Sequence, residues 1–348
     1  MTVMSFLSSR AFRVALLAGV GLTVTGLLYK YYTRKCSAVQ DITGSAGDAG
    51  DQNWSAKLKL KMLLRRENVY CSDIDYVEEM IDNHIQGGPD KLQIIADFDA
   101  TMTPMTYRGK SVPSCHELIE TFPRLPDWYR EKAAKIKDYY MAIEFDPHLT
   151  KEEKLPFMVE WWSKARELLI SCSVVRSDIE AAIKSSNLYL REGSSKLLGK
   201  LYESDIPLLV FSAGIGDVIE QLFRQRYKLY DNIHIISNWM EFNHEGMLVG
   251  FKGETIHVFN KNTHALSNAS YFDSLRHRHN VILLGDSLGD LDIIEGLSTE
   301  DRTLKIGYLN HHVEANLPKY KDGYDIVLAE EDSIELLQLL IENISNSS

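Results

Sequence analysis

Apolar positions along the chain follow two rhythms. Residues 92–96 (LQIIA), 207–211 (PLLVF), 232–237 (NIHIIS), 280–284 (NVILL), 304–308 (LKIGY) and 325–329 (DIVLA) are short, mostly apolar runs bounded by turn residues. Such runs are typical of strands buried on both faces of a parallel sheet. Stretches of helical period lie between them, among them 216–227 (GDVIEQLFRQRY) and 333–342. Strands alternating with helices predict an α/β fold with a doubly wound, Rossmann-like parallel sheet. Residues 127–141 and 150–171 also have helical periodicity, and Thr150/Glu153 and Ser177/Glu180 have the spacing of capping boxes that start helices. Upstream, the pattern from Trp54 to His84 predicts two helices, closed by Gly87-Gly88-Pro89. The first strand is therefore separated from the others by a mainly helical block. The expected division is a core of residues 54–110 and 206–348 with a helical cap inserted at 111–205, and no internal repeat is visible.

The amino-terminal 36 residues follow neither rhythm. Residues 14–29 form an uncharged run rich in Leu, Val, Gly and Thr, with Arg10 and Arg13 before it and Lys30, Arg34 and Lys35 after it. The run is slightly short of the ~20 residues of a membrane span, but a snorkelling Lys30 and the interfacial rings of Tyr31 and Tyr32 would extend it. No small-residue cleavage site stands near Tyr29, which argues against a signal peptide. Arginines, serines and missing acids are shared with mitochondrial presequences, and a buried soluble helix is a further alternative. The reading adopted is a membrane-anchor helix within residues 1–36 and a Gly, Ala, Ser and Asp-rich flexible linker over 37–53. The greater basic count on the carboxyl side places the following domain in the cytoplasm by the positive-inside rule.

Charge sharpens this division. Of 348 residues, 38 are Lys or Arg and 49 Asp or Glu, for a net charge of −11. Residues 1–40 hold five bases and no acid, leaving 33 bases against 49 acids, or −16, for the remainder. An acidic body argues against a nucleic-acid polymer as partner, because phosphate backbones are held by clustered Lys and Arg. The four cysteines, Cys36, Cys71, Cys115 and Cys172, form no CxxC pair, and the histidines form no HExxH. Reduced thiols and no zinc site are expected.

Four polar clusters fall at predicted strand ends, where ligands of α/β sheets bind. In Asp97-Phe98-Asp99-Ala100-Thr101, two carboxylates two residues apart can face one site and attract a hard cation. Ser212 in 211–217 (FSAGIGD) ends an apolar run, and the small residues after it leave backbone N–H groups free for an anion. Lys261 could neutralise a phosphate. Gly285-Asp286-Ser287-Leu288-Gly289-Asp290 sets two acids on a tight turn at the mouth of a buried strand. Taken singly, the first three have plain structural alternatives: turn aspartates, a strand-to-helix turn and a surface lysine.

In order and placement, DxDxT, Ser, Lys and GDxxGD resemble the four-motif signature of the haloacid dehalogenase superfamily of phosphohydrolases. Longer strings, including KLQIIADFDATMT, AIEFDP, MVEWW, FSAGIGDVIE, HVFNK and ILLGDSLGDL, are similar to the cytosolic pyrimidine 5′-nucleotidases, also called cytosolic 5′-nucleotidase III. The resemblance runs from about Lys57 to Ile344. It implies a core of haloacid dehalogenase type and Mg²⁺-dependent hydrolysis of nucleoside 5′-monophosphates, either CMP and UMP or 7-methyl-GMP. It further implies Asp97 as nucleophile, forming an aspartyl-phosphate, and Asp99 as acid and base. The implied metal ligands are the Asp97 carboxylate, the Asp99 backbone carbonyl and Asp286, with Asp290 in support. Ser212, Ala213 and Lys261 would hold the phosphate, and Glu144, Trp161, Trp162 and His116 the base. A monomer is expected. Two alternatives remain, a same-fold phosphatase for another small phosphomonoester and a non-catalytic scaffold tethered to a membrane.

Overall fold

In a computed structural model of the chain, the described residues are 55–144, 146, 148–257, 260, 261, 269–296 and 302–346. The segment expected to form the membrane anchor and linker lies outside them. Among the described residues, no helix is long and apolar enough to cross a membrane.

Eight strands form one sheet: β1 (Val69–Cys71), β2 (Leu92–Ala96), β5 (Leu208–Ile215), β6 (Ile233–Phe242), β7 (Leu248–Lys252), β8 (Asn280–Gly285), β9 (Arg302–Leu309) and β10 (Ile326–Ala329). Their order is β1-β10-β9-β8-β2-β5-β6-β7. The six middle strands are mutually parallel, and β1 and β7 close the two edges antiparallel. The predicted doubly wound sheet is therefore present. Both antiparallel edge strands escaped the sequence pattern, because β1 is only three residues long and only Leu248 of β7 is buried. Strands β3 (Thr106–Tyr107) and β4 (Lys110–Ser111) make a separate short hairpin.

Chain order explains where a site can form. From β2 the sheet grows through β5 and β6 on one side, then returns to β8, β9 and β10 on the other. Strand β2 is thus the topological switch point, where crossovers diverge and leave a crevice beyond the carboxyl end. All five of its residues are buried, and they alternate between faces. Ile94 and Ala96 join the large core that includes Leu284, Ile306 and Leu340, whereas Ile95 joins the opposite cluster with Phe211, Leu283 and Ile293.

The helices sort by what they bury. Helices α1 (Ala56–Leu63), α2 (Ile74–Gly87) and α7 (Ser194–Glu203) all pack against α11 (Glu335–Ser345). Helix α8 (Gly216–Arg226) covers β5 and β6, α9 (Ala269–Ser274) brings Tyr271 and Phe272 to the opposite cluster, and α10 (Val313–Gly323) covers β9 and β10. Between β4 and β5, α4 (Asp127–Glu144) and α5 (Lys151–Ile170) pack on each other, with α5 reaching β7. Helix α3 (Cys115–Glu120) packs on β5 and on α6 (Arg176–Ser185), which rests on α8. The inserted helices therefore have unequal attachments: α3, α6 and α7 are seated on core elements.

Local chemistry sets the ends. Helix α5 begins with the expected box, Thr150 Oγ1 accepting from Glu153 N at 3.2 Å and Glu153 Oε2 from Thr150 N at 2.8 Å. The Ser177/Glu180 spacing, by contrast, does not mark a start. Helix α6 begins at Arg176, where the Asp178 carboxylate accepts from Val175 N at 2.9 Å. An acid at the third helical position that captures the preceding amide relieves one unpaired donor, and it outcompetes the box two residues later.

Candidate active site

The turn that leaves β2 carries the first cluster. Asp97 is buried, and its amide donates to Leu284 O of β8 at 3.0 Å, which ties the residue to the sheet. Beyond it the chain turns through Ala100, whose backbone is left-handed (φ 59°, ψ 0°). Thr103 Oγ1 accepts from Ala100 N at 2.9 Å, and Thr103 N donates to Phe98 O at 3.0 Å. The Asp99 carboxylate thereby meets Cys115 at the start of α3, whose N–H donates to Asp99 Oδ1 at 3.0 Å.

Lys261 lies opposite, almost fully buried, donating to Asp97 Oδ1 and Asp290 Oδ1 at 2.6 Å each. The other oxygen of Asp290 accepts from Asp286 N, Ser287 N and Ser287 Oγ at 3.1, 3.0 and 2.9 Å. A single carboxylate thus closes the GDxxGD turn and anchors the lysine. Gly285 makes room for it, since a Cβ there would fall 2.6 Å from Asp290 Cβ and from the Tyr324 hydroxyl. Asp286 receives the Thr101 hydroxyl at 3.4 Å.

Ser212 does not end its strand. Strand β5 continues to Ile215, with a register shift between Phe211 and Ile215 that makes residues 212–214 a bulge. Ser212 Oγ accepts from Gly214 N at 2.9 Å within it. The bulge is crowded: a Cβ at Gly214 would stand 3.0 Å from Ser212 Oγ and Cys115 Sγ and 3.1 Å from Asp99 Oδ2, so a neighbour would have to give way. Asn238 holds the bulge from β6, donating to Ala213 O at 2.8 Å. The same amide pairs with both backbone groups of Ile256, near the turn that leads to Lys261, and accepts from Arg166 of α5 at 2.7 Å.

The electrostatics fit a hard divalent cation. Asp97, Asp286 and Asp290 each present a carboxylate oxygen within 4.8 Å of the others, an all-oxygen donor set. Burial raises the Asp97 carboxyl, against the pull of Lys261. Burial, then the charges of Asp97 and Asp290, raises Asp286 well above the carboxylate range. Asp99 is pushed up to about 7, first by burial and then by Asp97. One ammonium faces this excess of acids, and a bound cation would relieve it.

A cavity of about 250 Å³ lies beside the start of α3, its wall including His116, Trp161, Trp162, Arg166, Ile215 and Phe251. His116 and Ile215 come from the same short segments as Cys115 and the β5 bulge. The His116 and Trp162 rings meet edge to face with centroids 4.5 Å apart, and Arg166 lies 4.6 Å from the centre of the Phe251 ring. His116 Nε2 is buried with no hydrogen-bond partner, and burial, aided by the Arg166 charge, lowers the imidazole to about 4. Trp161 also stacks on Tyr140 at 5.8 Å.

Of the expected site residues, Asp97, Asp286, Asp290 and Lys261 converge, Asp99, Ser212 and Ala213 adjoin them, and His116, Trp161 and Trp162 share the cavity wall. Glu144 is not on that wall. It ends α4, where Lys154 donates to its backbone carbonyl at 2.7 Å and burial raises its carboxyl. Sequence reasoning passed over Arg166, Asn238, Arg191 and Asn310. Asn238 follows an apolar run on a strand, and its position at a predicted strand end was an available signal; Arg191 had none.

A doubly wound parallel sheet with this acidic cluster and buried lysine at its switch point defines a phosphohydrolase of the haloacid dehalogenase type. The sequence profile of the family described as pyrimidine 5′-nucleotidase (UMPH-1) matches residues 100–345. The chain belongs to that family and is a 5′-nucleotidase. It is 42% identical over 268 residues to the human 7-methylguanosine phosphate-specific 5′-nucleotidase, covering 77% of this chain and 89% of that protein. Identity to the putative cytosolic 5′-nucleotidase 3 of Caenorhabditis elegans is 32% over 296 residues, 83% of this chain and 79% of that protein. A crystal structure of cytosolic 5′-nucleotidase IIIB bound to cytidine superposes with a TM-score of 0.76 at 34% identity, over 82% of this chain and 96% of that one.

Proposed function

We propose that the chain hydrolyses nucleoside 5′-monophosphates with the base in the cavity beside α3 and α5 and the phosphate over Asp97. The observation that carries this reading is the aromatic cavity with an unpartnered imidazole nitrogen, continuous in chain with the bulge that holds Ser212. A planar heterocycle would stack on Trp162 and give His116 Nε2 its missing partner. CMP, UMP and 7-methyl-GMP are the substrates to compare. The family description and the cytidine complex favour the first two, and the names of the relatives the third.

In this reading an Asp97 oxygen attacks phosphorus in line, the bond from phosphorus to the 5′-oxygen breaks, and Asp99 gives that oxygen its proton. Asp99 then takes a proton from water as it attacks the aspartyl-phosphate, releasing phosphate and restoring Asp97. A carboxyl raised to about 7 holds or yields a proton near neutrality, as both half-reactions need. Ser212 and the Ala213 N–H receive phosphate oxygens, and Lys261 opposes the charge gathered there. Asp97, Asp286, Asp290 and the Asp99 carbonyl would hold Mg²⁺, which when bound supplies positive charge between the anionic nucleophile and its anionic substrate.

Within the insertion at 111–205, helices α4 and α5 would act as the cap. The active unit would be a monomer. Residues 14–29 would anchor the enzyme to a membrane, a reading that rests on the charge pattern, with its catalytic part in the cytoplasm, in keeping with the name of the cytosolic relative. Purified full-length protein should release phosphate from at least one of the three nucleotides, and Asp97→Asn should release none. Turnover surviving in that variant sinks the mechanism. Resistance to carbonate extraction, lost on deleting residues 1–36, tests the anchor.

A further inference from the structure

Arg191 is almost fully buried, 1% exposed, yet its partners are not carboxylates. Its Nε donates to Thr101 O at 2.6 Å, its Nη2 to Ala100 O at 2.7 Å and to Asn310 Oδ1 at 3.2 Å, and its Nη1 to the Glu331 carbonyl. The guanidinium sits 3.8 Å from the centre of the Tyr308 ring, and its backbone N–H donates to Met102 O at 2.9 Å. Asn310 sends a second donor to Ala100 O, at 3.0 Å. One side chain therefore gathers the chain beyond β2, β9 and β10, the carboxyl ends that border the site.

Burying a guanidinium is costly, and filling a core needs only an apolar side chain. What the fork supplies is donors in fixed directions for carbonyls that neither sheet nor helix satisfies. Two of those carbonyls, of Ala100 and Thr101, belong to the turn whose left-handed Ala100 directs the chain around Asp99. The two aspartates differ in how they are held. Asp97 is tied to β8 through its own amide, whereas Asp99 lies past the sheet and depends on the turn and on Cys115 N–H.

We propose that Arg191, with Asn310, is a positioning residue for Asp99, fixing the turn so that the Asp99 carboxyl reaches the leaving 5′-oxygen. This rests on the acid role of Asp99 proposed above. Displacing an acid penalises a leaving group that needs a proton and spares one that does not. The test compares kcat/KM for the preferred nucleotide with that for its analogue in which sulfur replaces the bridging 5′-oxygen, since a thiolate departs without protonation. In full-length Arg191→Lys and Asn310→Ala, kcat/KM for the oxygen ester should fall at least about tenfold, as misplacement of a catalytic group does. The sulfur analogue should lose less than about threefold, and Asp99→Asn should show the same split at larger size. Equal losses on both substrates, or no loss in either variant, overturn the proposal. If Arg191→Lys does not fold, Asn310→Ala decides alone, because it removes one partly buried amide. Activity in Asp97→Asn would instead overturn the mechanism itself, so the two failures are distinguishable.

Discussion

Replacing His116 by Phe isolates an electrostatic contribution whose size follows from the cavity. Burial, with the Arg166 charge behind it, holds the imidazole at about 4 against an ordinary 6.5. A histidine depressed in the folded state contributes stability that is fully present above its unfolded pKa and is lost as pH falls toward the folded value. Between pH 7 and pH 5 the unfolded chain takes up about three-quarters of a proton at this site and the folded chain about a tenth of one, so the stability lost is about 2 kcal/mol. Asp97, Asp99 and Asp286 move the other way, because their raised carboxyls bind protons more tightly folded than unfolded and gain stability as pH falls. A wild-type curve alone therefore mixes opposite signs. Urea unfolding of wild type and His116→Phe at both pH values removes the shared carboxylate part. The wild type should lose about 2 kcal/mol more than the variant on acidification. A difference between the two proteins that stays flat from pH 7 to 5 refutes the reasoning, and with it the neutral, solvent-shielded imidazole that the nucleobase reading uses.

Gly285→Ala should cost about 1–3 kcal/mol by overpacking and lower turnover as well, because the new methyl meets Asp290 and Tyr324 at 2.6 Å; unfolding and phosphate release measure both. Lys261→Met leaves Asp97 and Asp290 without their shared cation, and loss of about 3–5 kcal/mol in denaturant titration is expected, with turnover abolished. Adding Asp290→Asn to that variant should restore part of the stability and none of the activity. Chelation should stop turnover and Mg²⁺ restore it. At a concentration ~100 times its Kd, Mg²⁺ should also stabilise the wild type by about 2.7 kcal/mol. That gain should be absent in Asp286→Asn, and an equal gain there would remove Asp286 from the metal site.

What could be read from residue order alone was the part written in runs. Apolar stretches such as 92–96 and 280–284 announce buried parallel strands because both faces of each strand are covered, so no alternation obscures them. The Asp97 and Asp286 motifs were legible for a related reason: they sit where such runs stop, and the topology carries those ends to one crevice, whereas Lys261 stands nine residues past the end of β7 and not at a strand end. Ser212 shows the limit of that logic. The run stops there, but β5 bulges and continues, and the bulge is set by Asn238 on the neighbouring strand and by the approach of Cys115, neither of which a one-dimensional pattern contains. In the cap, a short string can place an acid such as Glu144 at a helix end, but which way that end faces depends on how α4 packs on α5. Arg191 is the extreme case: its neighbours in sequence are ordinary, and its partners lie about 90, 120 and 140 residues away on three separate loops. A buried arginine satisfied by carbonyls leaves no periodicity and no charge partner to detect. The residues that bear the reaction can thus be read from motifs, whereas those that hold them in register become visible only when distant loops are brought together.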